Sequence, residues 1–478
     1  MPRTKIVCTI GPASSSPRIL EQLIKAGMSV ARLNFSHGTR SEHRRVILHI
    51  RRIARRLGRP VAILQDLAGP KIRIGEIENG VVTLESGELF TLTNRRVTGD
   101  EKAVSINYPS LPKEIKPGDT LLLSDGALEL KVLETNVHDI KSRVIIGGPL
   151  SSNKGINLPT GSVETPILTD KDKDDLAFGI ELDVDFVALS FVRNANDVQD
   201  VKRFMKRRGA SGVPIIAKIE KHEALMNIDE IINVVDGIMI ARGDLGVEIP
   251  LEKVPRVQKM LIEKTNIFAK PVITATQMLR SMVDSHRPTR AEVTDVANAI
   301  LDGTDALMLS EETAIGNFPV ESVKMMARIA EDTESGFPFD AWSQKYSAEN
   351  LKSVPEAVSR RACDLAEDID ARLIITFTKS GATARMVSKY RPRRAILAAT
   401  PVNETYRRLA LVWGVVPILS KTTKSTDQMI TGVIKDALSS GLVSHGEKAV
   451  ITAGIPVGIS GNTNLIKTEI LDNKATHS

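Results

Sequence analysis

Lys218, Glu220 and Asp244 are the residues in this sequence whose types and spacing most directly imply chemistry. They fall in residues 214–248, where two short apolar runs, Pro-Ile-Ile-Ala-Lys218-Ile-Glu220 and Gly-Ile-Met-Ile-Ala-Arg242-Gly243-Asp244, each end abruptly in charge, with a helical stretch between them. Residues two apart on a strand point to the same side, so Lys218 and Glu220 share a face. Two carboxylates and an ammonium at neighbouring strand ends suit a hard cation holding an anionic, phosphorylated substrate. The alternative is a buried structural pair of Lys218 with Glu220. Such pairs rarely improve on apolar packing, and this one would leave Asp244 unexplained.

The elements needed to position such strand ends are repeated along the chain. Residues 5–70 read as strand, helix, strand, helix, strand, with strands at Lys5–Gly11, Ser29–Ser36 and Val61–Asp66. Strand-like runs return at Phe186–Val192, Ile215–Glu220, Gly237–Asp244, Pro271–Gln277 and Ala306–Glu312, with helical stretches between them. Eight βα units in one domain is the count of a TIM (β/α)8 barrel, with a doubly wound sheet the runner-up. A barrel draws its catalytic groups from the C-terminal strand ends. Those ends carry Arg32, Asn34, Ser36, Asp66, Ser190, Arg193, Lys218, Glu220, Arg242, Asp244, Thr276, Ser310 and Glu312. On this reading Ser190 and Arg193 join the substrate-binding set.

Two further units flank the barrel. Residues 74 to about 162 are rich in Val, Thr, Leu and Gly, with short alternating runs broken by turn sequences such as Glu78-Asn-Gly and Ser124-Asp125-Gly126. This pattern predicts an inserted β-barrel or sandwich. From residue 354 the βα pattern starts again and predicts an open α/β domain. Its first strand runs into Thr378-Lys379-Ser380-Gly381-Ala382-Thr383 and then a helix, a phosphate cradle or simply a capped helix start. The expected organisation is barrel over 1–70 and 166–337, β lid over 71–165, polar irregular linker over 338–353, and C-terminal α/β domain over 354–478.

Composition narrows the function classes. Aromatics are scarce at 4%, which argues against a stacking surface for single strands of nucleic acid. The net charge of +6 is mild for this length, but residues 40–59 concentrate Arg40, Arg44, Arg45, Arg51, Arg52, Arg55, Arg56 and Arg59. Apolar Val46, Ile47, Ile50, Ile53, Ala54 and Leu57 interleave at helical spacing, so a packed helix with a solvated basic face is favoured over a polyanion-binding one. The cysteines, Cys8 and Cys363, are far apart and predict neither disulfide nor metal site. The chain begins directly in a strand-like run, with no signal peptide and no apolar run long enough to span a bilayer. A cytoplasmic protein without membrane or nucleic-acid partners is expected.

Taken together, these residues resemble the pyruvate kinase family through nearly the whole chain. The matching stretches are Thr9-Ile-Gly-Pro12, Ala31-Arg-Leu-Asn-Phe-Ser-His-Gly38, Asp66 with Gly69-Pro70, Ile216-Ala-Lys-Ile-Glu220, Ile240-Ala-Arg-Gly-Asp-Leu-Gly246, Ala275-Thr-Gln-Met-Leu279, Arg287-Pro-Thr-Arg-Ala-Glu292 and Leu309-Ser310 with Glu312-Thr-Ala314. The resemblance implies transfer of phosphoryl from phosphoenolpyruvate to ADP, giving pyruvate and ATP, the last step of glycolysis. It implies Glu220 and Asp244 as ligands of Mg2+, with Mn2+ an alternative, and Lys218 against the migrating phosphoryl group. The backbone amides of Gly243 and Asp244, with Thr276, would take the substrate carboxylate. Thr276 and Ser310 would support protonation of the enolate. Arg32 and Arg73 would contact phosphates, with Asn34, His37 and Lys154 toward the nucleotide. It implies a homotetramer whose C-terminal domain regulates, with an effector phosphate at Thr378, Lys379, Ser380, Gly381 and Thr383.

The chain departs from the family pattern in places. Many members require K+ and carry Glu where this chain has Lys71, and often Thr where it has Leu67, while Asn34, Ser36 and Asp66 are kept. A vestigial cation site with Lys71 as the cation's substitute, and no K+ requirement, is expected. Glu311 stands where many members have Gly. The stretches Thr452–Pro456 and Ser460–Thr463 lack the Trp and Arg that grip a second effector phosphate in some members. A sugar monophosphate or nucleoside monophosphate is therefore the expected effector. Two other functions compete: a lyase acting on enolpyruvate or keto acids with the same carboxylate-held Mg2+, and a non-enzymatic protein binding nucleic acid through the 40–59 helix.

Overall fold

Short runs of Val, Ile, Leu and Ala alternating with amphipathic helices can bury both faces only in a parallel sheet covered by helices. The computed structural model describes residues 2–159, 161, 163–347, 353–421, 426–439, 441–455 and 462–472. Eight parallel strands close into a barrel: β1 (Lys5–Thr9), β2 (Met28–Asn34), β3 (Ala62–Asp66), β4 (Phe186–Leu189), β5 (Ile215–Ile219), β6 (Gly237–Ala241), β7 (Val272–Ala275) and β8 (Ala306–Leu309). β3 pairs with β4 across the inserted domain, Ala188 opposite Asp66, and β1 closes on β8, Cys8 opposite Leu309. The predicted barrel is the observed one.

The Arg40–Leu57 helix buries Val46, Ile47, Ile50, Ile53 and Ala54 against the barrel, as its spacing predicts. A capping box between Thr39 and Glu42 starts it, and Gly58 ends it in the left-handed region at φ 62°. Its arginines meet acids on neighbouring elements: Arg40 with Asp175 at 2.9 Å, Arg51 with Asp185 at 2.9 Å and Arg56 with Glu21 at 2.5 Å. Both cysteines are buried and unpaired. Among the described residues no helix is long and apolar enough to cross a membrane.

The insert is all but helix-free. A six-stranded sheet, ordered Ile156–Asn157, Thr120–Leu123, Leu128–Thr135, Asp139–Ile146, Leu89–Thr93 and Ala103–Ser105, curls over its own core of Phe90, Leu92, Leu121 and Leu130, beside a two-stranded ribbon. The C-terminal unit is a five-stranded sheet in which Leu465–Ile470 runs antiparallel to Lys448–Ala453.

Two features of the lower part differ from the sequence expectation. The expected irregular linker contains a helix, Phe339–Ser347. Phe339, Trp342 and Tyr346, at i, i+3 and i+7, are buried in the C-terminal domain's core, and Trp342 Nε1 donates to the Lys389 carbonyl at 3.1 Å. The intervening Asp340, Gln344 and Lys345 make that stripe read as polar. The second feature is a single turn at Leu409–Leu411. Ala410 and Leu411 belong to the same buried cluster as the barrel-interior residues Val7, Val30, Ala306 and Met308, so the C-terminal domain plugs the foot of the barrel. Arg391, itself buried, clamps the junction through Asp305 at 3.0 Å and the Gly303 carbonyl at 2.8 Å.

Candidate active site

The C-terminal ends of β2, β3, β4 and β5 converge on one ionic cluster. Lys218 Nζ lies 2.9 Å from Glu220 Oε1, 3.3 Å from Asp66 Oδ1 and 2.7 Å from Ser190 Oγ. Arg32 Nε donates to Asp66 Oδ2 at 2.6 Å, and its Nη1 to Thr9 Oγ1 at 2.9 Å. At Asp66 and Lys218 burial opposes the charge, yet the pairing prevails. It works against Asp66, but Lys218 and Arg32 hold that carboxyl below its ordinary range. It works against the Lys218 ammonium, but Asp66 and Glu220 hold it firmly protonated. Glu220 differs: burial raises its pKa, Lys218 opposes the rise, and the nearby Asp244 carboxylate adds to it.

Glu220 and Asp244 are thus two oxygen donors that repel each other at the mouth of the barrel, a donor set that suits a divalent hard cation. Glu220 Oε2 also accepts the Phe191 amide at 2.8 Å. That bond holds Phe191 at φ 57°, where non-glycine residues are uncommon. Thr276 and Gln277 have φ 74° and 56°. For a β-branched residue this is an outlier, so Thr276 is held in place by its surroundings rather than by strand packing. Arg242 supplies part of that hold. It forks onto Asp295 with both contacts at 2.7 Å and donates to the Ala275 and Thr276 carbonyls at 3.1 and 2.9 Å. A Cβ on Gly243 would meet Thr276 Cγ2 at 2.8 Å, so glycine there lets the Thr276 side chain pack against the Gly243 backbone. The carboxylate-site residues implied by the resemblance are therefore neighbours.

Other expected site residues fall in several places. Asn34 accepts the Ser36 amide at 3.1 Å, and Ser36 and His37 are exposed on the turn after β2. Leu67 is buried, and its carbonyl accepts from Ser190 at 2.8 Å. Arg73 is exposed and donates to the Asn153 carbonyl at 3.0 Å, beside exposed Lys154 at the base of the insert. The Ser310 amide donates to Glu312 Oε2 at 2.7 Å, and burial raises the pKa of Glu312. Glu311, unexplained by sequence, pairs with Arg280 at 2.6 Å on the surface.

Two expected site residues make their contacts elsewhere. Arg193 does not face the cluster: its guanidinium holds Asp197 and donates to the Val163 and Thr165 carbonyls at 2.6 and 2.8 Å, tying down the return from the insert. Among the described residues Lys71 makes its ion pairs with carboxylates other than Asp66. Its ammonium is 3.2 Å from Asp244 Oδ1 and 3.8 Å from Asp125 Oδ1, bridging the insert to the Arg242–Glu248 helix. Asp66 is already engaged by Arg32 and Lys218, which leaves Asp244 the more available carboxylate. In the C-terminal loop Gly381 takes φ 83°, and the Thr383 hydroxyl is buried 2.7 Å from that of Thr463. Of the stretches expected to lack a second phosphate grip, residues 456–461 lie outside the described residues.

Glu248 escaped the sequence reading. Buried at the end of the helix that carries Asp244, it accepts from Lys221 Nζ at 2.7 Å and Asn157 Nδ2 at 3.1 Å, with His222 Nδ1 at 3.2 Å. Its spacing of four from Asp244 was the one available signal. Burial works against this carboxylate, yet His222 and Lys221 hold its pKa down at about 2, against an ordinary 4.5. A lowered carboxyl pKa stabilises the fold above the unfolded value, and that stability is lost as pH falls through the folded one. The difference corresponds to about 3 kcal/mol. Urea midpoints of wild type and Glu248→Gln should therefore be furthest apart at pH 7 and converge as pH falls from 4.5 toward 2. A constant gap would assign the loss to packing alone.

Barrel, inserted β domain and a strand-end cluster of cation and carboxylates define an enzyme class that acts on anionic substrates at the barrel's upper rim. The family model of the pyruvate kinase barrel domain matches residues 1–323, and that of the pyruvate kinase alpha/beta domain matches residues 356–468. Pyruvate kinase 2 of a Synechocystis species is 50% identical over 98% of this chain and 79% of its own length. The pyruvate kinase of Geobacillus stearothermophilus is 48% identical over 98% and 81%. A crystal structure of a pyruvate kinase from Cryptosporidium parvum superposes with a TM-score of 0.93 at 40% identity, covering 98% of this chain and 96% of that one. The chain belongs to the pyruvate kinase family and is a phosphotransferase.

Proposed function

We propose that this chain transfers the phosphoryl group of phosphoenolpyruvate to ADP, giving pyruvate and ATP, the last step of glycolysis. The observation that carries the reading is Lys218, held fully charged between Glu220, Asp66 and Ser190 and close to Asp244. Glu220 and Asp244 would hold Mg2+, with Mn2+ an alternative. The ion supplies positive charge to the substrate's phosphate and enol oxygens when bound. Lys218 and Arg32 neutralise charge on the migrating group, where the transition state needs it most. The Gly243 and Asp244 amides and Thr276 orient the substrate carboxylate, and Thr276 with Ser310 lines the route by which a proton reaches the enolate carbon. Asn34, His37, Arg73 and Lys154 lie toward ADP. The lyase reading loses ground because the insert and the Lys218 position suit closure over a nucleotide.

Lys71 motivates the reading that K+ is not required. Its ammonium beside Asp244 brings a fixed unit charge to the site, and buried Leu67 offers no side-chain oxygen to a cation. A coupled assay of pyruvate release from phosphoenolpyruvate, with and without ADP, tests the reaction. Run in tetramethylammonium buffer with K+ added at constant ionic strength, it tests the cation as well. ADP-dependent release that ignores K+ is expected, and Lys71→Glu should gain K+ dependence. Release without ADP would point to a lyase, and a many-fold rise in kcat with K+ would sink the cation reading. A cytoplasmic homotetramer, activated by a sugar monophosphate or nucleoside monophosphate at the 378–383 loop, completes the proposal.

A further inference from the structure

A cavity of about 320 Å3 lies between the foot of the barrel and the C-terminal domain. It is far from the strand-end cluster, because its barrel walls, among them Phe186, Pro214 and Pro271, stand at or just before the N-terminal ends of β4, β5 and β7. Its size is in the range of small-molecule sites. Its charge is one-sided: Lys270, Arg385 and Arg408 face it, against a single acid, Asp236. Asp236 is already occupied, accepting the Ile215 amide at 2.9 Å with Lys202 at 4.0 Å. Among the described residues Arg385 reaches only the Ser380 carbonyl, at 3.2 Å, and Arg408 Nε is buried with no hydrogen-bond partner. Burial lowers the pKa of all three cations; Asp236 opposes this at Arg385 and Lys270 and Asp185 at Arg408, while like charge adds to it, Arg408 acting on Arg385 and Arg385 on Lys270. Lys270 donates to the Ile232 and Asn233 carbonyls, at 2.5 and 3.1 Å, but the two guanidiniums are only partly satisfied, and an anion between them would complete their hydrogen bonding.

We infer that this cavity is a binding site for a small phosphorylated anion, its phosphate held by Arg385 and Arg408 and its apolar part lying on Phe186, Pro214 and Pro271. Gly381 shapes the entrance, since a Cβ there would meet Arg385 Nη1 at 3.0 Å and Leu409 Cδ2 at 3.3 Å. The position gives such a ligand a lever. Arg408 and Leu409 line the cavity, and the next two residues, Ala410 and Leu411, are the plug in the barrel foot. An anion on Arg408 would therefore bear on the barrel interior directly. The site stands apart from Thr383, whose hydroxyl faces Thr463. The cavity shares Ser380 and Gly381 with the 378–383 loop, but Thr383 does not line it, so Thr383 and Arg408 can be varied separately.

The test is calorimetric titration of the full chain with inorganic phosphate and with phenyl phosphate, at constant ionic strength. One site per chain that depends on Arg408 is expected, beside any at the 378–383 loop or the strand-end cluster, with phenyl phosphate the tighter ligand there because its ring leaves water. Arg408→Gln should weaken binding at least tenfold, Arg408→Lys much less, and Thr383→Val not at all. Thermal midpoints without ligand check the fold of each variant, and Arg385→Gln replaces Arg408→Gln if the latter does not fold. Binding lost in Thr383→Val but kept in Arg408→Gln would place the anion in the effector loop and overturn the cavity site. No binding of either probe by wild type would overturn it as well. Loss in Arg408→Gln alone supports the cavity whether or not the loop reading holds.

Discussion

Glu220→Gln is expected to lower phosphoryl transfer by two orders of magnitude or more at saturating Mg2+, with the chain still folded, and Asp244→Asn to do the same. Across the barrel mouth the Asp244 carboxylate adds to the burial that lifts the pKa of Glu220. That repulsion is stored for a divalent cation to relieve. Even an outer partner of a bound metal is worth about 10–100-fold, and a direct charged ligand should be worth more. The fold should survive because a glutamine oxygen can still accept the Phe191 amide, now 2.8 Å from Glu220 Oε2, and Lys218 keeps Asp66. Asp244 is partly exposed, with Lys71 its recorded ion partner, so its amide should be tolerated too. Turnover against Mg2+ concentration decides the matter. Near-normal kcat in either variant would remove that residue from the metal site.

The strand ends were legible because a parallel barrel leaves a plain trace: apolar runs of four to seven residues, each stopped by a polar side chain. Lys218, Glu220, Asp66 and Arg32 could be grouped before any coordinates for that reason. What periodicity cannot carry is the direction of a side chain beyond the strand. Arg193 and Arg242 both stand on the rim, yet Arg193 turns to Asp197 and Arg242 to Asp295. In each case a carboxylate on an adjacent helix competes successfully for the guanidinium. Lys71 was expected beside Asp66, but two closer cations already neutralise that carboxylate.

Long-range packing was the other blind spot. The Phe339–Ser347 helix is too short and too interrupted by polar residues to be seen without its partners in the C-terminal core. Ala410 and Leu411 look like any short apolar turn until the barrel foot closes over them. Positive φ at Phe191 and Thr276 leaves no sequence trace, because neither residue type advertises it.

Lys218→Met should lower kcat on the order of a thousandfold while leaving KM for phosphoenolpyruvate little changed. Removing a single donor aimed at developing charge costs about 100- to 1,000-fold in other enzymes, and a buried full charge belongs at the upper end. The effect should fall on kcat because positioning by Thr276, Gly243 and the metal ligands survives, whereas stabilisation of the migrating phosphoryl group does not. Two consequences separate this from simple damage. Losing one partner of a buried ion pair destabilises by about 3–5 kcal/mol when the other is left alone. Here Asp66 keeps Arg32 at 2.6 Å, so the loss should be smaller and the thermal midpoint only modestly lower. Glu220, however, loses the one cation that opposes its raised pKa and should take up a proton more readily. The residual activity of the variant should then rise with pH more steeply than that of wild type, and excess Mg2+ should partly restore it by competing with the proton. A variant that kept kcat and lost affinity would make Lys218 a docking residue, with the transferring phosphoryl group neutralised by Arg32 and the metal alone.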